Sequence, residues 1–467
     1  VAARKSDPTR HTEVERKFDA EYAEVAPSFE GLTAVAHVEL APTQTLDAVY
    51  FDTPGHDLAR HRITLRRRTG GEDAGWHLKL PAGPDSRTEV RLPLGGEEVP
   101  DELRDVVLAI VRDRPLSPVA RIATSRGVQL LRDADGTVLA EFCDDRVTAT
   151  AGDVEQQWRE WELELVDSTD RDLLDRLSQR LLDAGATPAG HGSKLARVLA
   201  AAAPEEQPAE PTQSAVAELV TELITWDRAV RADVDDAVHQ MRVTTRKLRS
   251  LLKDSAEPWV LDELRTLAGI LGVPRDAEVL AQKYDQALFE LPPDLVRGPV
   301  RERLVDGARK RYELGLRRAI AALRTERYFR LLDALEQITA TSEEDLPSLD
   351  AAYKRVRKAA KAAKKSGPER DEALHRIRKG AKRLRYTAAA GGNKRVAEAA
   401  KEIQTLLGDH QDATVSRTHL LQQAEAAHAA GEDTFTYGVL YQREDDLAQR
   451  CREQLDAALK RLRKAVK

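Results

Sequence analysis

A chain of 467 residues exceeds what one hydrophobic core ordinarily organises, so two or three domains are expected. Charged residues make up 33% of it and aromatics only 4%, which favours a helix-rich protein over aromatic-packed sheets, and two cysteines exclude a disulfide framework. The net charge of −6 conceals an acidic half and a basic half: 26 Lys and Arg against 39 Asp and Glu over residues 1–212, then 47 against 40 over the remainder, which is therefore the better anion binder. No stretch approaches the ~18 consecutive apolar residues of a membrane helix. The first residues lack the apolar core of a signal peptide, so a cytoplasmic location and no membrane partner are expected.

In chain order, charged and apolar positions alternate in Thr12–Phe18, Arg62–Arg68, Trp76–Leu80, Arg87–Leu92, Val138–Cys143 and Trp158–Val166, predicting strands. Gly70-Gly71 and Asp135-Gly136 are among the turn signals between them. Helical patterns span Asp101–Arg112 and Arg171–Ala184, the second stopped by Gly185. Residues 201–213, rich in Pro, Glu and Ala, read as a linker. From about Ala215 a 3.6-residue period takes over, with a polar break near residues 340–348. The predicted organisation is a domain over 1–200, a linker over 201–213 and a helical domain over 214–467.

The helical part contains a repeat. His239-x-x-Arg242-x-x-x-x-Lys247-Leu248-Arg249 returns 136 residues later as His375-x-x-Arg378-x-x-x-x-Arg383-Leu384-Arg385. The same offset carries Leu271-Gly272 onto Leu407-Gly408 and Asp276-Ala277 onto Asp412-Ala413. Two copies of one helical unit, about 214–340 and 349–467, are implied. Asp276 and Asp412 are expected to cap helix starts.

Period two puts Glu13, Glu15 and Lys17 on one strand face, and likewise Glu160, Glu162 and Glu164. Arg66 with Arg68, Glu89 with Arg91, and Lys79 are patterned in the same way, although the run Arg66-Arg67-Arg68 leaves open which two share the face. One such strand is ordinarily a solvated face. Several together, in a sheet closed into a barrel, would line a lumen where carboxylates hold hard divalent cations and Arg and Lys grip phosphate oxygens. His61 and His77 are expected to be packing or surface residues in strands.

The ordered set Glu13-Val14-Glu15-Arg16-Lys17, Tyr50-Phe51-Asp52-Thr53, Leu65-Arg66-Arg67-Arg68, Trp76-His77-Leu78-Lys79, Thr88-Glu89-Val90-Arg91, Glu162-Leu163-Glu164 and Ser193-Lys194 resembles the CYTH family, the triphosphate tunnel metalloenzymes, over about residues 11–200. That resemblance implies an antiparallel β-tunnel, a closed barrel with flanking helices. It implies Mg²⁺ or Mn²⁺ on Glu13, Glu15, Glu162 and Glu164, with Asp145 contributing and Asp144 its competitor for that role. Lys17, Arg66, Arg68, Lys79, Glu89, Arg91, Arg126 and Lys194 would form the substrate site. Glu13, Glu15, Lys17, Glu162 and Glu164 would carry the hydrolysis of inorganic triphosphate or short polyphosphate. The family's nucleotide and thiamine triphosphate chemistries, triphosphatase or adenylate cyclase, are the alternative, as is a tunnel that only binds.

On a helix, i, i+3, i+7 and i+10 share a stripe, so His239, Arg242, Arg246 and Arg249 lie together, as do His375, Arg378, Lys382 and Arg385. A charged helix face is ordinarily a solvated one, but neither stripe is interleaved with Asp or Glu. The repeat resembles the CHAD domain, an all-α pseudo-symmetric pair of helical bundles associated with polyphosphate, over about residues 214–467. The resemblance implies polyphosphate binding by both stripes together with Lys247 and Arg383, and a protein that could accompany polyphosphate granules. The 40 acidic residues of this half and the missing aromatic interleaving argue against nucleic acid. The whole is thus an α+β multidomain chain whose oligomeric state the sequence leaves open.

Overall fold

The computed structural model describes residues 9–83, 85–166, 168–202, 215–339, 349–363, 370–390 and 392–466; most of the expected linker and the polar break lie outside them. The first part runs β1 (Thr9–Ala20), β2 (His37–Asp52), α1 (Asp57–Arg60), β3 (Thr64–Thr69), β4 (Gly75–Pro81), β5 (Ser86–Pro93), α2 (Asp101–Val106), α3 (Leu108–Val111), β6 (Ser117–Arg132), β7 (Val138–Ala151), β8 (Val154–Leu165), α4 (Arg171–Asp183), β9 (Thr187–Pro188) and α5 (Lys194–Ala202). The second is helical: α6 (Ala215–Arg231), α7 (Ala237–Leu251), α8 (Pro258–Ile270), α9 (Gly272–Phe289), α10 (Gly307–Ala322), α11 (Glu326–Thr339), α12 (Leu349–Ala363), α13 (Arg370–Ala390), α14 (Lys394–Ala429) and α15 (Phe435–Val466). No helix among the described residues is long and apolar enough to cross a membrane.

The chain divides into two compact units. One comprises residues 1–212 with 227–234 and 323–333; the other comprises 213–226, 235–322 and 334–467. The boundary is therefore not a single cut. Within the first unit, Arg231 pairs with Asp227 at 2.6 Å and Asp105 at 3.1 Å, and the buried Arg112 pairs with Asp333.

In that unit eight antiparallel strands follow the order β5-β4-β3-β2-β6-β7-β8-β1, and β1 also pairs with β5, closing the barrel. Closure removes the unpaired edges that make open sheets prone to association. Because successive side chains alternate, each strand has a lumen face and an outer face. The outer face of β1, β7 and β8 (Val14, Phe18, Phe142, Trp161, Leu163) packs on the apolar side of α4 (Leu173, Leu174, Leu177, Leu181). Asp170 caps α4 by accepting from the Asp172 and Leu173 amides, and Gly185, at φ +104°, follows its end as expected. A second cluster (Ala48, Tyr50, Ile122, Val147, Ala149, Trp158) gathers lumen-facing residues around Leu195 and Val198 of α5, which plug one end of the barrel. The helix expected over Asp101–Arg112 is broken at Val107 into α2 and α3, and His61 follows the short α1 instead of lying in a strand.

In the second unit, α12, α13, α14 and α15 share a core of Val356, Ile377, Leu384, Ile403, Leu407, Leu455 and Leu462. The repeat is kept in sequence but not in helix continuity. The first copy breaks at Leu271 between α8 and α9, whereas α14 runs unbroken through the equivalent Leu407-Gly408. Asp412 thus lies mid-helix and Asp276 in the second turn of α9. Neither caps a helix start, which corrects the expectation from sequence.

Candidate functional site

Strand register assembles the tunnel wall. Lys17 lies opposite Glu162 and Glu15 opposite Glu164; Asp145 lies between Arg126 and Glu160, and Lys79 opposite Glu89. Directly opposed residues share a face, so register alone carries these groups into one lumen. The cavity is about 410 Å³ and is lined by Glu13, Glu15, Lys17, Arg66, Arg68, Lys79, Arg91, Arg126, Glu162, Glu164 and Lys194, among others. Arg66 and Arg68 line it, whereas Arg67 lies on the outer face and donates to the Gly95 and Gly96 carbonyls. Asp145 accepts two hydrogen bonds from Arg126, at 2.7 and 2.5 Å, while Asp144 is held outside by Arg159 and Trp161. Geometry has resolved both ambiguities.

Towards the plugged end, the Lys194 ammonium stands 2.6–2.9 Å from Asp145, Glu160 and Glu162, three carboxylates grouped closely enough to hold a metal ion. Here the cation is a lysine. Glu160, the third member of its strand series, also accepts from the Trp158 indole at 2.6 Å and is committed to this end. Lys17 bridges Glu15 and Glu162 at 2.7 and 2.6 Å. Burial would raise both carboxyls; Lys17 with Lys79 nevertheless holds Glu15 down at about 2, and Lys17 with Lys194 and Arg126 holds Glu162 well below its ordinary range.

The balance reverses at Glu164. Glu164 makes no ion pair among the described residues. Burial, with Glu13, Glu15 and Glu162 nearby, pushes it up to about 7 against the pull of Lys79. Glu13 is raised by burial and by its neighbours Glu89 and Glu15, although Lys79 lies 2.5 Å away. Like charges crowded in a buried, all-oxygen donor set are what a hard divalent cation relieves, so Glu13, Glu15, Glu164 and the adjoining Glu162 fit Mg²⁺ or Mn²⁺. Glu15 on Lys17, Glu162 on Lys17, Arg126 and Lys194, and Asp145 on Arg126 and Lys194 are already paired, so a metal there would have to displace a cation. Glu164 is the one left crowded without an ion pair among the described residues.

Arg66 and Arg68 each have a buried Nε without a hydrogen-bond partner. Arg66 meets the Tyr50 hydroxyl at 3.3 Å, and Arg68 pairs with Asp73 of the β3–β4 turn. Burial pulls Arg68 down to about 9, with Arg66 and Arg126 adding repulsion. Burial would raise the Tyr50 phenol, but Arg66, Lys194 and Lys79 bring it below its ordinary value. Tyr50 escaped sequence reasoning because a strand tyrosine beside a phenylalanine is ordinarily core. His77 is a packed strand residue, as expected: it is buried, it hydrogen-bonds Glu89, and burial with Arg66 and Arg68 pulls it down to about 4 although Glu89 works the other way.

In the helical unit, the two stripes come together. Burial and the repulsion of Arg242 and Arg378 lower Arg246, and burial with Arg246, Arg378 and Arg242 pulls Lys382 down to about 8. His239 and His375 are lowered by burial and neighbouring cations, led by Arg275 for the first and Lys379 for the second. Among the described residues none of Arg242, Arg246, Arg249, Arg378, Lys382 and Arg385 has an ion-pair partner. Arg242 donates to the Ala268 carbonyl at 3.3 Å and Arg385 to Gln404 at 3.4 Å. Gly272 and Gly408 seat the repeat's arginines: a Cβ there would stand 3.5 Å from Arg242 Nε and 3.4 Å from Arg378 Nη2. These are ordinary contact distances, so the arginines lie directly against the glycines of the repeated Leu-Gly pair. Lys247, by contrast, is turned about 100° from Arg246 and faces Glu222 at 3.4 Å, and Arg383 is offset in the same way from Lys382.

A model of the CYTH domain matches residues 11–197 and one of the CHAD domain residues 214–421. Two uncharacterized Mycobacterium tuberculosis proteins, MT2285 and Rv2226, are each 64% identical, over 98% of this chain and 98% of their own. Among solved structures, PptA from Streptomyces chartreusis aligns at 18% identity and TM-score 0.44, over 52% of this chain and 96% of its own. The CHAD domain from the plant Ricinus communis aligns at 21% and 0.38, over 53% and 89%. Likenesses at these scores carry no functional weight. The ordered tunnel strands, the repeated histidine–arginine helices, the two domain matches and the full-length relatives together establish that the chain belongs to the CYTH–CHAD family.

Proposed function

We propose that the tunnel hydrolyses inorganic triphosphate or short polyphosphate with Mg²⁺ or Mn²⁺, and that the helical groove holds polyphosphate. The observation that carries this reading is one lumen containing both a crowded carboxylate set, Glu13, Glu15 and Glu164, and guanidiniums with unspent donors, Arg66 and Arg68. The metal, when bound on Glu13, Glu15, Glu162 and Glu164, supplies charge neutralisation and an activated water. Arg66, Arg68, Arg126 and Lys194 hold and orient the phosphate chain from the plugged side, and Lys17, Lys79 and Arg91 do so nearer the carboxylates. Glu89 fixes Lys79 and Arg91 in place. Phosphoryl transfer asks little else of a protein, since positioning and charge stabilisation supply most of its catalysis.

In the groove, His239, Arg242, Arg246, Arg249, His375, Arg378, Lys382 and Arg385 bind the polyanion. Lys247 and Arg383 only flank it.

Phosphate release from inorganic triphosphate, long-chain polyphosphate, ATP and thiamine triphosphate, with each metal, tests the proposal. Release from the inorganic substrates that Glu13→Ala abolishes is the expected result. Faster release from ATP or thiamine triphosphate would reassign the substrate. No release from any of them would leave a polyphosphate-binding protein.

A further inference from the structure

The lumen cations draw their counter-charges from two kinds of backbone. Lys17, Lys79, Arg126 and Lys194 pair with Glu15, Glu13, Asp145 and Glu162, all rooted in strands of the barrel wall. Arg68 of β3 pairs instead with Asp73, which stands on the β3–β4 turn. The Arg68 side chain is 6% exposed and the Asp73 side chain 36%, so one partner is fixed inside the wall and the other reaches in from a loop.

The main chain of that turn is held in place. Gly70 and Gly71 take φ of +80° and +74°, and a Cβ at Gly70 would collide with the Thr45 carbonyl of β2, so the turn lies hard against its neighbour. At its other end the Asp73 carbonyl oxygen is within hydrogen-bond distance of His77 Nε2, at 2.9 Å. With the backbone pinned, releasing Arg68 takes only rotation of the Asp73 side chain about its two torsions. Arg68 itself cannot do without an anion. Burial, with repulsion from Arg66 and Arg126, pulls it down to about 9, and its buried Nε has no hydrogen-bond partner. Asp73 lines the same cavity as Arg66, Arg68 and Arg126.

We infer that Asp73 is a resident counter-ion that competes with substrate: its carboxylate holds the Arg68 guanidinium until a phosphoryl group of the phosphate chain displaces it. The inference rests on the proposed triphosphate reading for the identity of the anion. A carboxylate and a phosphoryl group both accept from a guanidinium through paired oxygens, so they contend for the same donors. The exchange leaves Arg68 neutralised before and after. It costs the incoming chain one broken ion pair and the approach of a like charge. Asp73 therefore lowers the affinity of any anion that seats at Arg68, which makes it the opposite of a binding residue: removing its charge should tighten the hold.

The test is calorimetric titration of the full chain with inorganic triphosphate, without added divalent metal. Asp73→Asn, which keeps the polarity of the turn and removes its charge, should tighten binding roughly fivefold. Asp73→Ala should do the same, so a folding failure of either variant leaves the other to decide. Glu72→Gln removes an equal charge from the same turn, where Glu72 also lines the cavity, and should change affinity by about twofold at most. In an Arg68→Gln background the gain from Asp73→Asn should vanish. Unchanged or weaker binding in the Asp73 variants, an equal gain in Glu72→Gln, or a gain that survives Arg68→Gln overturns the inference. So does failure of all these proteins to bind triphosphate. Phosphate release with added Mg²⁺ or Mn²⁺ separates this inference from the reading it rests on. Tightening without turnover keeps the inference and sinks the hydrolase, and turnover without tightening does the reverse.

Discussion

The two units differ in how many of their buried cations are given counter-charges. In the tunnel, Lys17, Lys79, Arg126 and Lys194 all lie within ion-pair distance of carboxylates, so the cost of burial is offset by attraction. In the helical unit the six stripe cations have no ion-pair partner among the described residues, Asp409 and Asp412 act on Arg378 only at a distance, and burial with the cations' mutual repulsion pulls Lys382 down to about 8. The difference teaches what each surface is built to meet. On the proposed function, a tunnel that supplies its own counter-charges suits a metal and a short anion. On the same reading, the helical stripes, short of partners of their own, are the surface that a polyanion would neutralise.

The sharpest way to break this comparison is to delete a charge on each side. Glu13→Ala or Glu15→Ala should lower triphosphate turnover by roughly 10²–10³-fold while leaving polyphosphate affinity unchanged, measured by phosphate release and by titration of the same preparation. Loss of both together would mean that the sites are not independent. Next in size, Arg378→Ala should weaken polyphosphate binding about tenfold and reduce its salt slope by about one, with turnover of triphosphate spared. An unchanged slope would remove Arg378 from the groove's ligand set.

A smaller effect sharpens the contrast through pH. In the free groove Lys382 titrates near 8, below the ordinary lysine value, and a bound polyanion raises it. Affinity should therefore be full below pH 8, where the free groove already carries the proton, and decline as pH rises through 8, with proton uptake on binding. Calorimetry in buffers of different ionisation enthalpy checks this, and Lys382→Gln should flatten the dependence. The smallest expected effect is Lys247→Ala. Its partner is Glu222 and it stands off the stripe, so polyphosphate affinity should stay within error. A loss like that of Arg378→Ala would put the groove on a different helix face.

Much of this was legible in the sequence because periodicity is a local property. Period two revealed the tunnel strands and their faces, and the 136-residue offset revealed the helical repeat. Local patterns stop short of three things. Parity could not choose among Arg66, Arg67 and Arg68, nor between Asp144 and Asp145, because a face is inward only once the sheet closes. Helix continuity was invisible: Leu271-Gly272 and Leu407-Gly408 read alike, yet one breaks a helix and the other passes through it, so Asp412 is no cap. The partners of His77 and Tyr50 were hidden because each lies across the sheet, Glu89 on β5 and Arg66 on β3.

What the sequence by itself determined is therefore the family, the two architectures and the chemical kinds of side chain on each face, since these arise from residue type and spacing along one chain. Only the tertiary structure decided which carboxylates lysines or arginines already neutralise and which are left crowded, and which histidine is buried between acceptors. Those outcomes depend on distances of a few ångströms between strands far apart in sequence, and electrostatic energy in a low-dielectric lumen varies steeply over that range.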